Sequence, residues 1–326
     1  MKIHKKKRTY KRNIAKIGIS FSILLIIGGI WQVIMEAKEM KMYTPVGEVL
    51  DINSHDMHLY RLGNGNNTIV FISGSGTPNS YTDFYYLQNE LQQYAKTLSF
   101  DHAGFGWSKS TDSPRTVDNL VSDLHELFNK SNQSPPYILV AHSLASLEAI
   151  RYAQVYPDEI QGIILLDGGS PQYYVNDLEI KSLILNRFSA ILRVTGINRA
   201  LGNIGIKLPF IGENIRYESL PEDIKNIDEA MYYKFIGNNS NLDVLKHINK
   251  NAKIVIDNGY LQDIPLLILS SDSGNEWEKV QLELLNWSND STQRTIIDSK
   301  HYLHWSHKEI VVSEIVEFIK NISNNY

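Results

Sequence analysis

With 326 residues, 43% hydrophobic and 10% aromatic, the chain can build one large core and a smaller lobe, which excludes a disordered polymer. It contains no cysteine, which excludes structural disulfides and thiolate zinc sites. The formal net charge of −4 hides an asymmetry: residues 1–16 carry eight Lys or Arg and no acid, so the remainder holds 24 bases against 36 acids, a net of −12.

The basic arm, MKIHKKKRTYKRNIAK, would suit an anionic partner such as nucleic acid, but the next stretch argues for a membrane. IGISFSILLIIGGIWQVIM, residues 17–35, has no charged side chain and as a helix would extend about 28 Å, close to a bilayer's hydrocarbon thickness. Trp31 suits the outer interface, and the preceding bases set a cytoplasmic N-terminus. The expectation is a single-pass anchor in the cell membrane with the rest of the chain outside it, and no nucleic-acid partner. A cleaved signal peptide fits less well, since no A-x-A site follows the run. Residues 36–48 read as a short linker.

VLDINSHDMHLYRLG predicts two edge strands with a turn near Ser54-His55-Asp56. NTIVFIS (67–73) predicts a buried strand ending in Gly74-Ser75-Gly76. A helix and a short strand ending at Phe100-Asp101 follow. In TVDNLVSDLHELFNKSN (116–132), Val117, Leu120, Val121, Leu124, Leu127 and Phe128 share one helical face. YILVA (137–141) reads as a buried strand, SLASLEAIRYAQVYP as a helix stopped by Pro157, and IQGIILLD (160–167) as another strand. Short apolar strands alternating with helices predict a mostly parallel sheet covered on both faces.

The rhythm changes after Gly169-Ser170-Pro171. Residues 170–252 read as an inserted helical cap between core segments 49–169 and 253–326. Strands at 264–272 and 291–298 and helices at 277–287 and 310–322 complete the core. The cap is apolar over 183–211 (Phe188, Ile191, Leu192, Val194, Ile197, Leu208, Phe210, Ile211). We read these residues as packing the cap helices over the sheet, with an acyl-sized pocket or lipid docking as the alternative.

Ligands of open parallel sheets bind beyond the carboxyl ends of the strands, and four polar groups fall there. Ser143, in ILVAHSLASLE, sits at a strand-to-helix junction where a nucleophile would stand, although alanines occupy both glycine positions of G-x-S-x-G. The competing reading is a helix N-cap. His301, His304 and His307 precede the last helix and include candidate bases; their spacing of three and three, without one helix beneath them, does not favour zinc. Asp272, after LLILSS, is a candidate acid to orient the base, with Asp167 its main rival and Asp298 too near His301 to reach under it. Ser73-Gly74-Ser75-Gly76 lacks the lysine of a phosphate loop but offers backbone N–H groups to an oxyanion.

Taken together, GSG, DHAGFGWS (101–108), AHSLA, IPLLILSSD and SKHYLHWSHKEIVVSEIVEFI occur in an order that resembles the α/β-hydrolase family over residues 45–322, excluding the cap. DHAGFGWS resembles D-R-x-G-x-G-x-S, with His102 for Arg, and the last segment resembles G-H-x-x-H-x-x-x-P-x-x-V, with Lys300 for Gly. The resemblance implies Ser143 as nucleophile, His301 as base, Asp272 as acid, and the backbone N–H groups of Ser75 and Leu144 as the oxyanion hole. It implies a serine hydrolase for a small ester, lipid, amide or peptide, without cofactor or metal. Serine at the nucleophile position argues against the branches that use aspartate there. The alternative is an inactive hydrolase-fold binding or scaffold protein at the membrane surface.

Overall fold

The computed structural model describes residues 2–176, 180–206 and 220–323. The chain opens with one continuous helix, α1 (Lys2–Met42). Residues 36–42, expected to be a linker, extend it. Their sequence EAKEMKM is made of good helix formers, and the helix ends just ahead of Pro45, which disfavours helical backbone in the residue before it. Most apolar side chains of 17–34 face outward.

β1 (Glu48–Ile52) and β2 (His55–Leu62) form an antiparallel hairpin. Its turn residues Asn53 and Ser54 both have positive φ, the backbone of a tight two-residue hairpin loop. β3 (Thr68–Ile72), α2 (Ser80–Asp83), α3 (Tyr85–Leu91), β4 (Lys96–Phe100), α4 (Val117–Lys130) and β5 (Tyr137–His142) follow. Thr116 caps α4, its side chain accepting from Asn119 N–H. Next come α5 (Ser146–Val155) and β6 (Ile160–Leu166). The cap contributes α6 (Pro171–Asn176), α7 (Ile180–Val194), α8 (Ile197–Asn203), α9 (Glu222–Phe235) and α10 (Asn239–Asp257). The chain closes with β7 (Leu266–Ser271), α11 (Asn275–Glu283), β8 (Ser291–Ile296), α12 (Leu303–Ser306) and α13 (Lys308–Ser323).

Among the described residues the strands form one eight-stranded sheet in the order β1-β2-β4-β3-β5-β6-β7-β8. β2 runs antiparallel to both neighbours, and the pairs from β4 through β8 are parallel. β5 shows why its sequence lacks a polar face. Tyr137, Leu139 and Ala141 enter the core beneath α4 and α5, while Ile138 and Val140 enter the core beneath α3 and α13. Burying each large apolar side chain is worth about 1.5–3 kcal/mol, so this strand can carry a strained residue at its end.

The cap is tied to the core and to α1. Asn251 accepts from Val117 N–H at 2.8 Å, Asp243 from Arg115 N–H at 2.7 Å, and Asn238 donates to the Gly104 carbonyl at 2.7 Å. α10 runs past residue 252, where the core was expected to resume, because Leu245, Ile248, Ala252 and Val255 bury one face against the sheet layer. On the other side, Gln32 of α1 donates to the Tyr233 carbonyl at 2.7 Å and accepts from Arg199 Nε at 2.8 Å. Arg199 also forms a bidentate ion pair with Glu39. The cap's apolar residues do not all pack inward: Phe188, Ile191 and Val194 are exposed. Leu208, Phe210 and Ile211 lie outside the described residues.

Candidate active site

β5 delivers the chain to Ser143 in extended backbone, and a 3-10 turn, Ser143–Ala145, leads into α5. Ser143 takes φ +56°, a left-handed conformation that costs an L-residue about 1–2 kcal/mol. The strain falls on the serine and not on the flanking alanines. Ala141 sits in register between Ile72 and Leu165, and Ala145 has ordinary right-handed backbone (φ −63°, ψ −9°). Neither position calls for glycine's backbone freedom.

His301 bridges two of the candidate residues. Its Nε2 lies 3.0 Å from Ser143 Oγ, and its Nδ1 lies 2.7 Å from Asp167 Oδ2. Asp167 follows β6, the strand beside β5. Its φ of +47° belongs to a fully buried residue whose other carboxylate oxygen accepts from Ser271 N–H at 2.8 Å and Trp277 Nε1 at 3.0 Å. The structure therefore puts Asp167, and not the expected Asp272, against His301. Asp272 stands one strand further from Ser143, is exposed, and accepts from Asp298 N–H at 2.7 Å, inside the loop that leads to His301. Trp277 and the Ser271 backbone escaped the sequence reading; a tryptophan five residues after Asp272 carries no signal until the loop is folded.

The three clustered histidines separate. His304 is buried with Nε2 3.5 Å from Asp83 Oδ1, and His307 contacts Ser306 Oγ through Nδ1 at 3.1 Å. Beneath His301 lies His142, whose Nε2 donates to the His301 carbonyl at 3.1 Å. This bond ties the loop of the candidate base to the strand that carries Ser143. Burial first, and then His304 and His301, hold His142 well below the ordinary histidine range, so it is a neutral imidazole. Among the described residues, Asp83, His142 and His304 form the group whose donor atoms lie close enough, within 4.8 Å of one another, to hold a cation. The His301, His304 and His307 set does not form such a group.

Ser75 and Leu144, the two residues expected to supply oxyanion donors, line the same cavity as Ser143. The loop that carries Ser75 is fixed from below. Asp101, fully buried, accepts from Ser80 N–H at 2.7 Å, Trp107 N–H at 3.1 Å and Asn79 Nδ2 at 3.0 Å. His58 Nδ1 lies 2.8 Å from the same carboxylate. Burial disfavours the charged form of His58, but Asp101 and the Val46 carbonyl hold its pKa above the ordinary value. Gly106 has φ +51°, and a Cβ there would stand 2.0 Å from Asp101 Oδ2, so glycine is required for this closure. His102, which stands where the resemblance has arginine, pairs with Glu148 at 2.8 Å. From the cap, Asn241 accepts from Ser75 Oγ at 2.8 Å.

The cavity above Ser143 holds about 620 Å³ and is walled by Trp277 and Tyr302 on the core side and by Tyr173, Leu185, Ser189 and Phe235 of the cap. Such a space suits a small organic substrate. The arrangement offers a hydroxyl in contact with an imidazole and a buried carboxylate against that imidazole's other nitrogen, a set that can carry out acyl transfer.

Comparison with known proteins agrees with the sheet topology. A family model described as alpha/beta hydrolase fold matches residues 67–308. The uncharacterized protein YbdG of Bacillus subtilis is 30% identical over 237 residues, 72% of each chain. A proline iminopeptidase of Saccharolobus solfataricus is 23% identical over 286 residues, 81% of this chain and 88% of the other. Among solved structures, a thermophilic esterase from Thermogutta terrifontis superposes with a TM-score of 0.62 at 18% identity, covering 84% of this chain and 98% of its own.

Proposed function

We propose that this chain, which belongs to the α/β-hydrolase family, is a serine hydrolase that cleaves a carboxylic ester through an acyl-enzyme. The observation that carries the reading is His301 standing between Ser143 and Asp167 at 3.0 and 2.7 Å. Ser143 Oγ attacks the carbonyl carbon while His301 Nε2 takes its proton. The Ser75 and Leu144 N–H groups receive the negative oxygen of the tetrahedral intermediate. Collapse breaks the bond to the leaving alkoxide, which takes the proton from His301. Water then adds to the acyl-enzyme by the same route, giving the acid and regenerating Ser143. Asp167 fixes the Nδ1–H tautomer and offsets the charge on the imidazolium. An amide would follow the same steps with an amine leaving, and the iminopeptidase relative makes it a substrate to include.

The reading includes membrane anchoring. Helix α1 contains one span long and apolar enough to cross a bilayer, and the bases before it set a cytoplasmic N-terminus with the hydrolase outside.

Labelling by a serine-directed fluorophosphonate tests the chemistry. The wild type is expected to label and to hydrolyse members of an ester and aminoacyl-amide panel. S143A should lose both, with kcat down roughly 10⁴–10⁶-fold. A wild type that neither labels nor turns over any substrate would instead mark a binding protein on a hydrolase fold.

A further inference from the structure

Helix α1 has too little free length to cross a bilayer by itself. Its apolar run spans 17–35, but from Gly28 onward it lies against the cap. A Cβ on Gly28 would stand 2.3 Å from the Thr195 carbonyl oxygen, and one on Gly29 would stand 2.9 Å from that of Val194. Leu25 and Ile26 already share a groove with Val194 and Thr195, which leaves 17–24 ahead of the cap; at 1.5 Å per residue that covers about 12 Å, less than half of a 30 Å hydrocarbon core. The rest of the span must come from the stretch that touches α7, and that stretch keeps Ile30, Val33 and Ile34 exposed along a groove shared with Val194 and Thr195.

The cap is dressed for the same depth. From Ile184 to Val194, every exposed residue of α7 is apolar. Ile184, Phe188, Ile191 and Val194, spaced by four, three and three, form one stripe. The exposed charge on α7, Lys181, is at the end away from Gly28. The opposite side of the helix, with Ser182, Asn186 and Ser189, lines the cavity above Ser143. One helix thus has an apolar outer face continuous with α1 and an inner face on the reaction space.

We propose that α7 and the second half of α1 form a single lipid-embedded surface, so that the cap sits in the outer leaflet and the substrate is an acyl ester of a membrane lipid drawn from it. This rests on the anchored serine-hydrolase reading above. The occupant of the α7 stripe is the acyl-chain region of the bilayer, with which the apolar run of α1 is continuous.

The absence of cysteine allows single labels. Full-length L24C, I191C and I297C would each carry an environment-sensitive fluorophore, in vesicles of phosphatidylcholine and phosphatidylglycerol with brominated acyl chains. Ile297 is exposed in the loop after β8. Quenching at positions 24 and 191 but not at 297 is the expected result. Quenching at 24 alone keeps the anchor and overturns the embedded cap. Quenching at none of them overturns the anchor and the proposal together. A second measurement reads the substrate: I184S/F188S/I191S should lower hydrolysis of a vesicle-borne fluorogenic acylglycerol by roughly tenfold, while a water-soluble short-chain ester is hydrolysed as before. Equal loss on both substrates, or on neither, overturns delivery from the leaflet. If this triple variant fails to fold, the label at 191 decides.

Discussion

The buried carboxylate of Asp167 lies 2.7 Å from His301 Nδ1, while the exposed carboxylate of Asp272 is engaged by the Asp298 N–H. Asp167 follows the strand next to the one that leads to Ser143. The D167N change leaves the size of the side chain but presents the wrong partner to Nδ1–H. It should lower kcat for a short ester by about 10³–10⁴. D272N keeps an acceptor for Asp298 and should cost less than about threefold. Steady-state rates of the two purified variants decide the assignment, and the reverse ranking would return the role to Asp272.

Trp277 donates its indole N–H to the same Asp167 carboxylate at 3.0 Å. A hydrogen bond to a charged group is worth about 1.5–3 kcal/mol, so W277F should lower kcat by roughly 10- to 100-fold. Trp277 also lines the cavity, so KM will shift too. W277H offers a ring N–H again, and partial recovery of kcat with it would mark the hydrogen bond as the cause.

Gly106 closes the loop over Asp101, where a methyl group has no room. G106A combines a left-handed backbone with displacement of a buried carboxylate that holds three backbone or side-chain donors. A loss of about 2 kcal/mol or more is expected in a urea melt. A melt unchanged from wild type would show that the loop can be rebuilt without Asp101.

His142 makes stability depend on pH. Its folded pKa lies well below the ordinary 6.5, through burial and then His304 and His301, with Asp83 opposing. Below about pH 6.5 the unfolded chain binds a proton that the folded chain refuses. The contribution of His142 is therefore complete above that pH and is lost as pH falls, by at most about 1.4 kcal/mol per unit. His58, raised above 6.5, acts in the opposite sense: its contribution is complete at low pH and lost as pH rises through its raised value. The difference between wild type and H142N cancels His58. It should shift toward the variant as pH drops from about 7.5 to 5.5, read by denaturant melts; a difference flat in pH would assign the dependence elsewhere.

Much of this architecture can be read from pattern. The run ILVA is apolar throughout because both of its faces are covered, and DHAGFGWS shows its glycines because Asp101 must approach the backbone of Trp107. Ser143 and His301 sit at strand ends that local sequence marks. The choice between Asp167 and Asp272 cannot be read that way. Both follow apolar strands, and what separates them is a left-handed backbone at Asp167 and the path of the His301 loop, which are properties of the folded sheet. The continuation of α1 through residues 36–42 is hard to see in the sequence for a similar reason. Glu36 and Glu39 resemble solvent-facing charge until Gln32 and Arg199 are brought beside them.

That cluster decides where a shortened, water-soluble version of the chain can begin. A cut at residue 36 removes the hydrophobic stretch but also Gln32, which supplies a donor to the Tyr233 carbonyl and an acceptor to Arg199 Nε. Arg199 is only 3% exposed, and an unpaired donor there would cost about 1–3 kcal/mol. A start near residue 28 keeps the seam between α1 and the cap, but leaves Ile30, Val33 and Ile34 in water. Replacing those three outward side chains with polar ones, while leaving Gln32 and Glu39 in place, separates solubility from the integrity of the cap.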